Sequence, residues 1–237
     1  MSMQQKRNII FSLIFVIITL GIVGGLVYYL TPTSDTPAQS EPDPNDYFTL
    51  TIVSDDLAEE EIASYQQRFS EVVTEIQTIP DFVNPWFELG QIKKNVGDFR
   101  GAEAAWLNAN KIRPNNSTSY GNLADLYTNF LIDYDKALVS YQQAIQNSQD
   151  EFLNVQFYRR LYEFYLYNLK DLGQAEAVLL QGVEDNPADS ELSILLAQFY
   201  RDELDDTQKA IQYFELALKN DPTDELVKQD LDALKNQ

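Results

Sequence analysis

Carboxylates are the side chains of this sequence best supplied for chemistry. Asp and Glu together number 37 of 237 residues, against 17 Lys and Arg. Adjacent pairs such as Asp55–Asp56 and Asp205–Asp206 offer two hard oxygen donors each, the raw material of a calcium site. Neither lies in a loop of EF-hand spacing, and both fall where a helix cap or a solvated turn is expected. The sequence has no Cys, which excludes disulfides, zinc–thiolate sites, iron–sulfur clusters and a cysteine nucleophile. It has no His, so the commonest metal ligand and the commonest general base near neutral pH are missing too. We therefore assign no catalytic, cofactor-binding or metal-binding residue and expect a protein that is not an enzyme. What remains is non-covalent recognition, and that depends on the elements that present the side chains.

Lys6 and Arg7 are the only charged residues before Asp35, which leaves the rest of the chain with 15 basic and 37 acidic residues, a net charge of −22. Such a surface repels phosphate backbones, so no nucleic-acid partner is expected. Ile9 to Leu30 is a run of 22 residues without a charge. At about 1.5 Å per residue it is long enough to cross a hydrocarbon core of roughly 30 Å. A cleaved signal peptide would have a shorter apolar region with small residues close behind, whereas Val27–Leu30 is bulky. No basic residue follows until Arg68, so residues 1–8 are expected to stay in the cytoplasm and everything after Leu30 to face away from it. Gly21 and Gly25 have the spacing of paired membrane helices and leave self-association open. Residues 31–53 read as a Pro-rich stalk followed by an extended segment, Tyr47–Val53, laid on the next domain.

Beyond Val53 the pattern is helical. Ile62, Tyr65, Phe69, Val72, Ile76 and Ile79 make one apolar stripe, Asp56 and Glu59 are spaced as a capping box, and Pro80 stops the helix. Then one arrangement is written four times: Asp, Ala four residues later, and a bulky apolar residue four after that. It begins at Asp98, Asp133, Asp171 and Asp206, in steps of 35, 38 and 35 residues. A period of that size marks stacked supersecondary units. Each unit carries an upstream stretch of helical periodicity, such as Tyr120–Tyr127 or Ser193–Tyr200, and the Asp stands where the second helix needs its N-cap. Ala at fixed points lets antiparallel helices approach, and the bulky residue fills the gap to the next pair. One pair cannot bury its apolar face alone, so the pairs must stack.

In these residues the chain resembles the tetratricopeptide repeat family. The first repeat supplies Trp86, Leu89, Gly90, Ala102, Trp106, Ala109 and Pro114 at the family's spacing; the second Tyr120, Leu123, Ala124, Tyr127, Ala137, Tyr141 and Ala144; the fourth Leu196, Ala197, Tyr200, Ala210, Phe214, Ala217 and Pro222. The third is looser, with Tyr162 where a small residue is usual, and Lys93 replaces an aromatic in the first. Repeats two to four carry one extra residue in the turn between helices, and a wider helix crossing is expected in the third. The resemblance, over roughly residues 55–237, implies an all-α fold, an α-solenoid of stacked antiparallel helix pairs; the apolar run adds a single transmembrane helix before it. The whole chain is thus expected to divide into a cytoplasmic tail (1–8), a signal-anchor (9–30), stalk and extended segment (31–53), an N-terminal capping helix that is a degenerate half repeat (54–81), repeats at 83–116, 117–151, 155–189 and 190–222, and a C-terminal capping helix (223–237).

The family's groove is lined by its first helices and takes extended peptides or a partner's helix. Its positions carry over to Phe87, Gln91, Lys94 and Asn95 in the first repeat, and to Asn122, Asp125 and Asn129 in the second. Arg159 and Arg160 follow in the third, with Gln198 and Arg201 in the fourth. Amides donate and accept together and so match a peptide backbone. The clamp by which chaperone-binding members grip a C-terminal carboxylate is not assigned: Asn122 and Arg160 fit it, but Phe87, Gln91 and Gln156 do not. The expected function is a membrane-tethered, extracytoplasmic scaffold that binds protein or peptide partners in the assembly or holding of envelope or secreted proteins. The alternative is a structural subunit of a homo-oligomeric or larger membrane complex.

Overall fold

Four aspartates set the rhythm of the chain. Asp98, Asp133, Asp171 and Asp206 each turn a side-chain oxygen onto the backbone N–H three residues on, at Gly101, Lys136, Gln174 and Lys209, over 2.8–3.1 Å. Each thereby satisfies one of the orphan donors that a helix start leaves. The computed structural model describes residues 47–236, and the tail, the apolar run and the stalk up to Asp46 lie outside them. The described residues form ten α-helices: α1 (Glu59–Thr78), α2 (Val83–Asn95), α3 (Phe99–Ile112), α4 (Ser117–Leu126), α5 (Tyr134–Asn147), α6 (Glu151–Glu163), α7 (Leu172–Asp185), α8 (Glu191–Asp202), α9 (Thr207–Asn220) and α10 (Glu225–Lys235). Among these residues there is no strand, and no helix is long and apolar enough to cross a membrane.

The pairs α2–α3, α4–α5, α6–α7 and α8–α9 stack in order, with α1 before them and α10 after. Pro80, Pro114, Pro187 and Pro222 each fall two residues past a helix end, where a ring without an N–H costs nothing. Two expectations need correction at the first helix. Its N-cap is Ala58, whose N–H donates to Glu61 Oε2 over 2.9 Å, so the box is not made by Asp56 and Glu59. Its apolar stripe is buried through Phe69, Val72 and Ile76, but Ile79 forms the C-cap and is exposed.

The extra residue of the later repeats also sits elsewhere than expected. In the second and third it widens the last turn of the first helix into a π-turn, Tyr127–Leu131 after α4 and Phe164–Leu169 after α6. All four units still close alike. The residue before the Asp takes a left-handed conformation, at Gly97 (φ 84°), Ile132 (51°), Lys170 (54°) and Asp205 (53°). The Asp N–H then returns to the carbonyl of Lys93, Tyr127, Tyr165 or Tyr200 over 2.8–3.0 Å. Such a cap satisfies the last carbonyls of the first helix and aims the chain into the second. The helices of the third pair are the least closely apposed of the four, and Tyr162 there is buried edge-on against Phe199 at 5.9 Å.

One close approach fixes the first pair. The Trp106 indole lies directly on Gly90, where a Cβ would come far inside contact distance of the ring. The core runs on from Trp106 through Leu123, Tyr141, Tyr158, Leu179, Leu196 and Phe214 to Leu234. A neighbouring cluster under α1 gathers Phe69, Val72, Ile76, Trp86 and Leu89.

Candidate functional site: the first-helix face

The eleven residues singled out from the sequence stand on α2, α4, α6 and α8 or, for Asn129, on the π-turn after α4. Phe87 is half-buried between the two core clusters, and its carbonyl accepts the Trp106 indole N–H at 3.1 Å. Gln91 and Asn95 are exposed and joined, amide to amide, at 2.7 Å. Asn129 donates to the Asp125 carbonyl at 3.0 Å, which closes the turn of helix beneath it. Among the described residues, Asn122 and Gln198 make no side-chain hydrogen bond, and both are half-buried.

The charged members are brought together in pairs. Arg160 on α6 reaches back to Asp125 on α4 at 2.7 Å, and the Tyr141 hydroxyl donates to the other oxygen at 3.3 Å. Arg159 faces Glu191 of α8 at 3.6 Å and donates to Gln156 at 2.6 Å. Arg201 forks onto Asp202 at 2.7 and 2.9 Å, donates to Asp230 of α10 at 3.1 Å and lies 5.7 Å from the Phe214 ring centre. Every arginine expected to face a ligand is therefore already bound to an acid, most of them one repeat away. Burial pushes the Asp125 carboxyl above the ordinary range, against the pull of Arg160, Tyr141 and Lys94.

That imbalance makes the pair asymmetric. Asp125→Asn is expected to leave the melting point unchanged or slightly raised, because it removes the partner that resists ionisation. Arg160→Ala should cost about 1 kcal/mol, since it strands a half-buried carboxylate. The stability that protonated Asp125 contributes is present below the ordinary carboxylate pKa and lost as pH rises through its raised folded value. Thermal melts of both variants across that window check the assignment; equal losses would contradict it.

Sequence reasoning missed a second set of contacts, which clasp one repeat to the next. Glu103 on α3 accepts from the Tyr127 hydroxyl at 2.7 Å and from Lys136 at 3.3 Å. Glu176 on α7 does the same with Tyr200 at 2.5 Å and Lys209 at 3.3 Å. In each clasp the ammonium also lies over the tyrosine ring, at 5.2 and 4.4 Å. Burial alone would raise the Glu103 carboxyl, but Arg100, Tyr127 and Lys136 outweigh it and hold it below the usual range. Burial, with the facing carboxylate, drives both phenols up, so they remain donors. The three residue types recur 73 positions apart, a signal that a search at the single-repeat step passes over. Leu138 and Gln174 stand at the corresponding places between the second and third pairs, so that junction has no clasp. Asp206, one of the paired acids considered for calcium, is taken up as the cap of α9.

The stretch that contains α8, α9 and their flanking turns decides the family of its repeat. Residues 190–224 match the tetratricopeptide repeat family. The other three pairs share with this tetratricopeptide repeat the capping Asp, the left-handed turn and the buried Ala four residues on. Among solved structures, a crystal structure of MamA is similar with a TM-score of 0.51 and 16% identity over 72% of this chain and 97% of that one. Another, of MamA protein, gives 0.48 and 20% identity over 67% and 83%. YrrB, described as a TPR protein with an unusual peptide-binding site, gives 0.33 and 14% identity over 67% and 96%. At such identities the likeness is one of fold: an all-α helical repeat of the tetratricopeptide kind. No curated protein matches the chain in sequence.

Proposed function

We propose that this chain is a tetratricopeptide-repeat scaffold that holds an extended segment or a helix of a partner protein on its first-helix face. The observation that carries this reading is the division of labour on that face. Its arginines are neutralised in pairs by Asp125, Glu191, Asp202 and Asp230, while Gln91, Asn95, Asn122, Asn129 and Gln198 remain at the surface. A face of that kind reads main-chain amides, and Lys94, half-buried on α2, adds a cation to it. The strongly acidic remainder keeps anionic polymers away. We further propose that Ile9–Leu30 tethers the scaffold to a membrane with the repeats outside the cytoplasm, on the strength of its 22 chargeless residues and the basic pair before it.

Crosslinking and pull-down of the full chain from native membranes tests the face. Gln91→Ala, Asn122→Ala and Asn129→Ala combined should keep the parent's helical circular dichroism, with a stability change within about 0.5 kcal/mol at each of the two exposed sites, Gln91 and Asn129. The same variant should lose the partners that the parent captures. Undiminished capture would move binding off this face. Protease added to intact spheroplasts should remove the repeats; full protection there would refute the topology.

A further inference from the structure

Lys93 is the odd residue of its series. Its carbonyl closes the first repeat as those of Tyr127, Tyr165 and Tyr200 close the others, yet its side chain is a cation only 1% exposed. The ammonium donates to the Thr49 carbonyl at 2.7 Å and to Asp98 at 2.8 Å, and lies 5.8 Å from the Phe69 ring centre. Tyr127 and Tyr200 each have one hydroxyl proton, given to a glutamate, whereas a buried ammonium has three to place. The lysine is there to hold the segment that passes over it.

That segment, Tyr47–Ser54, runs along α2 in the same direction and then turns into α1. Tyr47 packs edge-on against Trp86 near the start of α2 at 5.4 Å, and Phe48 lies 6.2 Å from the same ring. At the far end, the N–H groups of Val53 and Ser54 both donate to the Val96 carbonyl, at 2.8 and 3.0 Å. Between them Leu50, Ile52 and Ser54 are half-buried and Thr51 and Val53 exposed, the alternation of an extended strand. In every complete unit a first helix precedes the second; α1 is a second helix without one. Tyr47 and Phe48 form a short 3-10 turn, and the six extended residues 49–54, at about 3.3 Å each, span what a first helix of 13 residues spans at about 1.5 Å. The strap thus lies where a helix would, but its backbone is read by main-chain contacts. Gly97 makes room: besides its positive φ, a Cβ there would stand 3.1 Å from Val53 Cβ and from Ser54 N.

We propose that the seam of α1 and α2 is a peptide site in its own right, and that Tyr47–Ser54 is its resident, dissociable ligand. The site takes an extended chain with two aromatics ahead of alternating apolar residues. Lys93 captures a main-chain carbonyl, the Val96 carbonyl captures main-chain N–H groups, and Trp86 selects the aromatics. It is separate from the first-helix face and does not depend on what that face binds.

The test uses the full chain with a protease site placed at Asp55–Asp56, in the exposed loop between strap and α1, and a fluorescein-labelled peptide of residues 47–54. Before cleavage the tethered strap competes at an effective concentration of order millimolar, so the peptide should bind the nicked chain about 100-fold more tightly than the intact one if its affinity is about 10 μM. Anisotropy reads both. Lys93→Met in the nicked chain should abolish binding. Because that variant removes a buried group and could unfold, the same loss is expected from a peptide carrying Tyr47→Ala and Phe48→Ala, with the protein untouched. Equal binding to nicked and intact chains, or to the parent and altered peptides, would overturn the proposal. So would loss of helical circular dichroism on cleavage, which would make the strap an inseparable part of the core.

Discussion

Trp106→Ala is expected to lower the stability of the repeats by about 3–5 kcal/mol, the range for emptying a large aromatic site in a core. The indole is 1% exposed and donates to the Phe87 carbonyl at 3.1 Å, so both its packing and its hydrogen bond are lost. The site cannot collapse easily, because the ring is held between α2 and α3, the first complete pair. A second substitution identifies the wall of the cavity. Gly90→Ala alone overpacks against the ring and should cost about 1–3 kcal/mol. In the Trp106→Ala background the added methyl enters vacant space, and its cost should fall close to zero. Urea denaturation of the two single variants and the double gives the coupling directly. Additivity within about 0.5 kcal/mol would show that Gly90 is not small on account of Trp106.

The second large effect is expected at Phe164, where the π-turn after α6 begins. This ring is 1% exposed and packs 5.5 Å from Tyr134, 5.7 Å from Tyr141 and 5.9 Å from Tyr165. Phe164→Ala should cost about 3–5 kcal/mol. It should also change the form of the transition. In a stack whose units touch only their neighbours, the middle junction couples the two halves, and here that junction is aromatic where its neighbours carry a Tyr–Glu–Lys clasp. Hydrogen exchange of the variant should therefore show α2–α5 and α6–α10 opening separately, and the urea slope should fall. A single transition with the parent's slope would mean that coupling runs through other contacts.

The sequence was most readable where the cause is local. The capping aspartates act three residues away, and the buried Ala and bulky positions repeat at one helical spacing, so the four pairs could be placed from periodicity. Legibility failed where the partner is distant or the choice is between near-equal backbones. An extra residue can be absorbed by a looser turn or by a π-turn, and the spacing of the Asp does not distinguish them. Lys93 read as a flaw in the pattern because its acceptor, Thr49, is 44 residues away on a segment with no repeat of its own. The arginines of the third repeat read as ligand contacts because their acids lie on a first helix of a neighbouring repeat; Arg160 and Asp125 are 35 residues apart. The half-buried amides of Asn122 and Gln198 had no competing partner to overlook among the described residues.

The clasps bear on how the stack could change length. Glu103 and Glu176 are interchangeable in what they hold, a tyrosine and a lysine of the following unit. Excising residues 104–176 would splice the first second-helix into the third and set Glu103 opposite Tyr200 and Lys209, with the chemistry of the seam intact. Removing one repeat instead would bring Glu103 against Tyr165 and Gln174, a carboxylate with no ammonium, or leave Tyr200 and Lys209 facing Leu138. In the chemistry of its seams the repeating unit of this chain is therefore two repeats long, 73 residues from Glu103 to Glu176.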